Sequence, residues 1–169
     1  MDVFGTGELT LDKPMAVNKD YAGFTFGYNR TLLAQRVHDI LTALAYAKGH
    51  EKTKTVHLVG FEKAGPWVLL ARALCGDAVT RTAADCDGFR FDKVRTTTDE
   101  MMLPGALKYD GLPALAALAA PSELFVHHHE GTGSGRWLKA VYQAAGAMDK
   151  LRRLPDKATD EKVVEWLLR

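Results

Sequence analysis

The sequence predicts an α/β protein with a parallel sheet flanked by helices on both faces. Short apolar runs alternate along the chain with longer segments whose apolar residues recur every three or four positions. Several of those runs end in a Gly-rich or acidic turn, as strands of such a sheet do. We expect one domain over residues 1–169, with three or four strands in the sheet.

The composition fits a globular chain. Its 169 residues are 47% hydrophobic, enough for a core, and a net charge of +1 gives no basis for binding nucleic acid or an anionic membrane. The two cysteines, Cys75 and Cys86, are too few for a disulfide framework. Nothing resembles a signal peptide or a membrane span, so a cytoplasmic location is expected.

The N-terminal part predicts little regular structure before one long helix. Residues 1–10 are interpreted as a strand end running into a Gly turn, and residues 11–29 as a loop that carries several aromatic side chains. A helix is predicted over residues 31–48, because Leu33, Val37 and Ile40 fall on one face and Gly49 can end it.

The rest of the chain is organised around residues 55–67. An apolar strand at residues 55–59 runs into Gly60–Gly65, and a helix over residues 66–74 follows at once. Small residues at that junction fit a tight turn, and the spacing is that of a nucleophile elbow, G-x-S-x-G. Glu62 stands where the nucleophile would be, and a carboxylate is a poor acyl-transfer nucleophile. Alternatively, Glu62 accepts backbone N–H groups at the start of the following helix.

The C-terminal half predicts two further strands. One lies within residues 78–85 and ends in Asp85, and the other runs over residues 123–130 through His127-His128-His129-Glu130 into a Gly-rich stretch. Residues 88–109 read as irregular. Helices are predicted over residues 112–119, 136–151 and 160–168.

Several motifs together resemble the C-terminal half of an α/β-hydrolase, of the acetyl-xylan-esterase or dienelactone-hydrolase-like branch. They are Asp2-x-x-Gly-x-Gly-Glu, Tyr28-Asn29-Arg30, the Gly60–Gly65 turn, Ala84-Asp85 and Leu103-Pro104-Gly105. The resemblance implies a truncated fold without the strands that precede Asp2. It also implies a substituted triad. Glu62 takes the nucleophile position, the histidine tract takes the acid position, and residues 154–162 contain no histidine. Serine-hydrolase chemistry is therefore not expected.

A metal centre is the leading functional prediction. Ligands of open parallel sheets bind beyond the carboxyl ends of the strands, where Glu62, Asp85 and the histidine tract fall. Strand alternation predicts that His127 and His129 project from one face and His128 from the other. We expect His127, His128 and His129 as ligands of Zn²⁺ or another divalent transition metal. Glu62 or Asp85 would complete the shell or act as base.

The expected reaction is hydrolysis of an ester-type bond, in carboxylic esters or phosphotriesters, by a metal-activated water. Three candidates for substrate binding lie nearby: Lys63, Trp67 and Arg136. Alternatively, Lys63 is a solvated lysine, Trp67 is a core residue and Arg136 is part of a flexible loop.

Other roles for the acids and histidines stay open. The histidines are alternatively exposed polar residues without a ligand, or one is a general base without metal. Asp85 is alternatively a helix cap or a structural acceptor. The chain as a whole is alternatively an inactive hydrolase remnant that binds or scaffolds.

The truncation also predicts a homodimer. The strand at residues 55–59 would present an open edge with unpaired backbone groups, and a second copy could cover it with two-fold symmetry.

Overall fold

In the computed structural model, which describes residues 1–10, 17–129 and 135–169, an all-parallel sheet organises the chain. Its strands, in spatial as well as sequence order, are β1 (His57–Gly60), β2 (Arg81–Asp85), β3 (Glu123–His127) and β4 (Leu151–Arg153). The register places Asp85 beside His127 at the carboxyl ends of β2 and β3. The predicted α/β class and parallel sheet are confirmed.

Helices cover both faces of this sheet, as predicted. They are α1 (Ala22–Tyr28), α2 (Leu32–Gly49), α3 (Ala64–Leu74), α4 (Gly111–Ala117), α5 (Arg136–Ala144) and α6 (Asp160–Leu167). On one face, α6 packs Val163 against Phe125 of β3. On the other, Val126 of β3 joins a larger core that includes Leu69 of α3 and Leu138 of α5. Alternation along β3 thus supplies both cores.

Two elements differ from the sequence prediction. The helix expected over residues 136–151 ends at Ala144, and Leu151–Arg153 forms the edge strand β4. The expected aromatic loop contains the short helix α1, which has no buried residue. Residues 1–10 form a turn and the 3₁₀-helix Gly7–Leu9 rather than a strand end. Helix α2 holds them through a hydrogen bond of 2.8 Å from Phe4 N to Asp39 Oδ2.

Of the helices in the described ranges, none combines the length and the apolar character needed to cross a bilayer.

Candidate functional site

The turn after β1 has the tight geometry that its small residues predict. Glu62 has a left-handed backbone, with φ of 52°. A Cβ atom on Gly60 would lie 2.6 Å from the carbonyl oxygen of Ala64, and one on Gly65 would lie 1.6 Å from that of Asp85. Because only glycine fits these two positions, the turn holds Glu62 at the carboxyl edge of the sheet, beside the end of β2.

Glu62 forms an ion pair that the sequence did not reveal. Its Oε1 lies 3.2 Å from Nζ of Lys157, in the segment between β4 and α6, and its side chain is 67% exposed. Lys157 Nζ also lies 3.7 Å from Oδ2 of Asp85. The hydrogen bond to Glu62 raises the pKa of Lys157, and the nearby charge of Asp85 adds to the shift. The sequence signal that could have identified Lys157 is its position, because it falls where the resemblance to α/β-hydrolases places a catalytic histidine.

Asp85 is the most deeply buried carboxylate at this edge. It ends β2 with 0% exposure, and its Oδ1 accepts the backbone N–H of Asp87 at 2.8 Å and faces Nδ1 of His128 at 2.9 Å. Burial raises the pKa of Asp85, but these two hydrogen bonds, together with one from the backbone of Glu62, outweigh it, so the net pKa lies below its ordinary value. Asp85 is therefore ionised at neutral pH.

His128 is turned towards Asp85 by its own backbone. It has φ of 54°, donates its N–H to the carbonyl of Asp156 at 3.1 Å and accepts the N–H of Gly88 at 2.9 Å. Since the ionised Asp85 can only accept, Nδ1 of His128 donates this hydrogen bond. Of the two neutral tautomers, the contact therefore fits the one with the proton on Nδ1 and a lone pair on Nε2. The side chain is 38% exposed, so solvent reaches this aspartate–histidine pair.

The left-handed backbone of His128 overturns the expected alternation. His127 packs on the ring of Phe125, 5.3 Å between centroids, on the face covered by α6. His129 instead lines a cavity together with Val126 and Leu138, on the opposite face. The prediction that His127 and His129 share a face is therefore wrong, because the strand ends at His127 and the chain turns at the next residue.

His127 and His129 both have lowered pKa values, for different reasons. His127 is 1% exposed and its Nδ1 accepts the N–H of Ala158 at 3.3 Å, and burial lowers its pKa despite the charge of Asp85. Burial and the charge of Arg153 lower the pKa of His129, whose Nε2 lies 3.3 Å from Nη2 of Arg153. His127 acts as a core histidine, whereas His129 belongs to the cavity.

The described residues do not fit the predicted zinc site. Such a site needs three or four ligands converging on one point about 2 Å from each donor, and His127 and His129 lie on opposite sides of the sheet. The guanidinium of Arg153 beside His129 further disfavours a cation there. Within the described ranges, no group of three His, Cys, Asp or Glu side chains is arranged to hold a metal ion. Glu130 and residues 131–134 of the predicted Gly-rich stretch lie outside those ranges.

The three predicted substrate-binding residues are not brought together. Lys63 Nζ lies 3.0 Å from Oε1 of Glu100 and does not pair with its neighbour Glu62. Trp67 is 6% exposed within the core, and its Nε1 donates to Sδ of Met101 at 3.1 Å. Arg136 is exposed at the start of α5. The core alternative given for Trp67 is the one observed.

A cavity of about 350 Å³ lies beside the aspartate–histidine pair, on the side of the sheet away from α6. Its buried wall is mostly apolar and comes from α3, α4, α5 and the strand ends: Leu69, Cys86, Leu112, Ala116, Val126 and Leu138. Cys86 and His129 directly follow Asp85 and His128 in the chain. The same two strand ends therefore build the polar cluster and the cavity.

Comparisons with known proteins give no match from which a function could be inferred. No family model matches the chain, and neither the curated proteins nor the solved structures give a significant match.

Proposed function

We propose that this protein hydrolyses an ester-type bond with His128 as general base. The observation that carries the proposal is the 2.9 Å contact between Oδ1 of the buried Asp85 and Nδ1 of His128. It orients the imidazole, fixes its tautomer and leaves Nε2 able to accept a proton at a solvent-accessible edge of the sheet.

The proposed reaction uses water as the nucleophile. His128 Nε2 takes a proton from a water molecule as its oxygen attacks the carbonyl carbon, and Asp85 stabilises the imidazolium that forms. The ammonium group of Lys157, 3.7 Å from Asp85, is the cation proposed to stabilise the negative charge that develops on the substrate oxygen. The proton then passes from His128 to the departing alcohol. A positioned base contributes roughly 10²–10⁴-fold to such a step.

The substrate class comes from the resemblance to α/β-hydrolases described above. The strand–turn–helix geometry at Glu62 is consistent with that resemblance, since the left-handed residue and flanking glycines are those an elbow requires. Carboxylic esters and phosphotriesters are the first substrates to test. Zinc-dependent hydrolysis is the rival form of this proposal, although the described histidines do not converge as it requires.

One experiment separates these forms. The purified protein is analysed for metal, and hydrolysis of 4-nitrophenyl acetate and of a 4-nitrophenyl phosphotriester is measured with and without a chelator. We expect His128→Gln to lose at least 10²-fold in rate. His38→Gln, an exposed histidine of α2, and chelation should leave the rate unchanged. About one zinc per chain with activity lost on chelation would overturn the metal-free proposal.

A second candidate function is ligand binding without catalysis. It is favoured by the ion pair at the elbow, where Glu62 replaces a nucleophile and Lys157 neutralises it. A protein of this kind would hydrolyse neither substrate, and His128→Gln would change nothing measurable. The absence of any turnover above the His128→Gln background would therefore support a binding or scaffolding protein.

A homodimer is proposed on separate grounds. Strand β1 lies at one edge of the sheet, and none of the described residues pairs with its outer side. Val59 of β1 and Phe61, just after it, are 39% and 36% exposed. Light scattering after size exclusion tests this directly. We expect a dimer that Val59→Lys dissociates, and a monomer at all concentrations would contradict it.

The two free cysteines fit a cytoplasmic location.

A further inference from the structure

We infer that the cavity walled by α3, α4 and α5 binds a small, uncharged and largely apolar molecule, of about the size of a fused two-ring aromatic compound. This binding site goes beyond the proposed hydrolysis, because neither Asp85 nor His128 lines the cavity. It would exist whether or not the chain is an enzyme.

The size and the buried wall of the cavity favour an apolar ligand. Its volume of about 350 Å³ falls within the usual range for small-molecule sites, roughly 300–1,000 Å³, whereas packed interiors hold few voids larger than a water molecule. Leu69, Val126 and Leu138 on its wall are at most 4% exposed. Burial raises the pKa of the Cys86 thiol to about 12, so this side chain is also uncharged at neutral pH. The buried wall therefore offers apolar contacts to whatever enters.

Two phenylalanines on the wall suit a planar ring. Phe89 and Phe91 form an edge-to-face pair with 4.9 Å between ring centroids, and both line the cavity. Aromatic side chains add favourable ring contacts to the area that they bury. Leu107, which is 60% exposed, also belongs to the lining, so a ligand that fills the cavity can cover this apolar side chain as well.

The charged residues of the lining disfavour a charged ligand. The described lining holds two arginines and two aspartates, so their formal charges cancel. Arg90 donates its Nε to Oδ1 of Asp92 at 2.9 Å, and Nη2 of Arg153 lies 3.3 Å from Nε2 of His129. Asp110 is exposed and would repel an anion. A charge carried to the buried wall would lose its water and meet no opposite charge there, which is costly.

Calorimetric titration at pH 7 with 2-naphthol tests the inference. Two charged probes of similar shape are its controls, the anion 2-naphthoate and the cation 2-naphthylmethylammonium. We expect saturable one-to-one binding of naphthol that is at least about tenfold tighter than that of either ion. His128→Gln should bind naphthol as the wild type does, so a failure of the proposed hydrolysis leaves this result unaffected.

A pair of matched variants places the ligand in the cavity. Ala116 of α4 lines it and is 2% exposed, so Ala116→Met fills part of the space, and we expect it to weaken naphthol binding at least about tenfold. Ala45→Met makes the same change at an exposed position of α2 and should leave binding unchanged. Circular dichroism checks that both variants are folded.

A measurement on the wild type makes the test independent of how Ala116→Met folds. We expect nuclear Overhauser effects between naphthol ring protons and the methyl groups of Leu69, Val126 and Leu138. No saturable binding of naphthol, equal affinity for either charged probe, or Overhauser effects confined to methyl groups outside the cavity would each overturn the inference. Unchanged affinity in folded Ala116→Met would do so too.

Discussion

Gly65 offers the sharpest test of the turn that positions Glu62. In Gly65→Ala, the new Cβ would lie 1.6 Å from the carbonyl oxygen of Asp85, so α3 and β2 must separate by more than about 1 Å to reach even a tight contact of 3.0 Å. The obstacle is backbone, which cannot rotate away as a side chain does. Overpacking of a well-packed core costs about 1–3 kcal/mol, and this contact falls at the upper end or beyond, so we expect a loss of about 3 kcal/mol or more.

The matched control is Gly49→Ala at the end of α2, where no atom lies within 4 Å of the added Cβ. The same chemical change there should leave the stability unchanged or raise it by up to about 1 kcal/mol, because alanine restricts the unfolded chain. Urea unfolding followed by circular dichroism measures both variants. A Gly65→Ala stability within about 0.5 kcal/mol of wild type would refute the tight packing of α3 on β2.

Two further predictions follow from pKa shifts at the end of β2. Burial raises the pKa of Cys86 to about 12, so iodoacetamide at pH 8 should label Cys75 in the folded protein and leave Cys86 unmodified until urea is added. Mass spectrometry of the peptides measures the labelling of each cysteine. Equal labelling of the two in the folded protein would contradict the prediction. Because the folded pKa of Asp85 is lowered, its ionisation stabilises the fold above about pH 4, the ordinary carboxyl value. That contribution is lost as the pH falls through the lower folded pKa. The stability difference between wild type and Asp85→Asn should therefore shrink in acid, whereas a constant difference from pH 7 to pH 2.5 would contradict the shift.

Local signals predicted the first strand, the turn and the helix after it. Glycines at positions 60 and 65 are required by contacts within a few residues or with the next strand, so their pattern is visible in sequence. The long helix α2 and the last helix α6 were equally readable, because their apolar residues repeat at helical spacing. Here the structure confirms the prediction to within a few residues.

The histidine tract was misread because its conformation depends on a distant residue. Strand alternation assumes that the strand continues, but His128 turns to meet Asp85, which is 43 positions earlier in the chain. The residues next to His128 do not indicate a left-handed backbone, because glycine, not histidine, is the residue that usually adopts this conformation. The predicted placement of His127 and His129 on one face failed for this reason.

Strand β4 and Lys157 were missed for a related reason. Leu151–Arg153 is too short and too polar to read as a strand, and it is one because Leu124 and Phe125 of β3 pair with it. That pairing in turn brings the following segment, with Lys157, across the carboxyl edge to Glu62. Both features depend on tertiary contacts that sequence periodicity does not encode.

Nitrogen NMR of the His128 ring tests the central claim most directly. Histidine ¹⁵N shifts and their couplings to ring protons report which nitrogen carries the proton, and the chain has 6 histidines, so His128→Gln identifies the signal. The account predicts that at pH 8 the proton lies on Nδ1 and Nε2 is unprotonated, and that Asp85→Asn abolishes this preference. A proton on Nε2 in the wild type would mean that His128 has no lone pair there to accept a proton from water, and would contradict its role as the base.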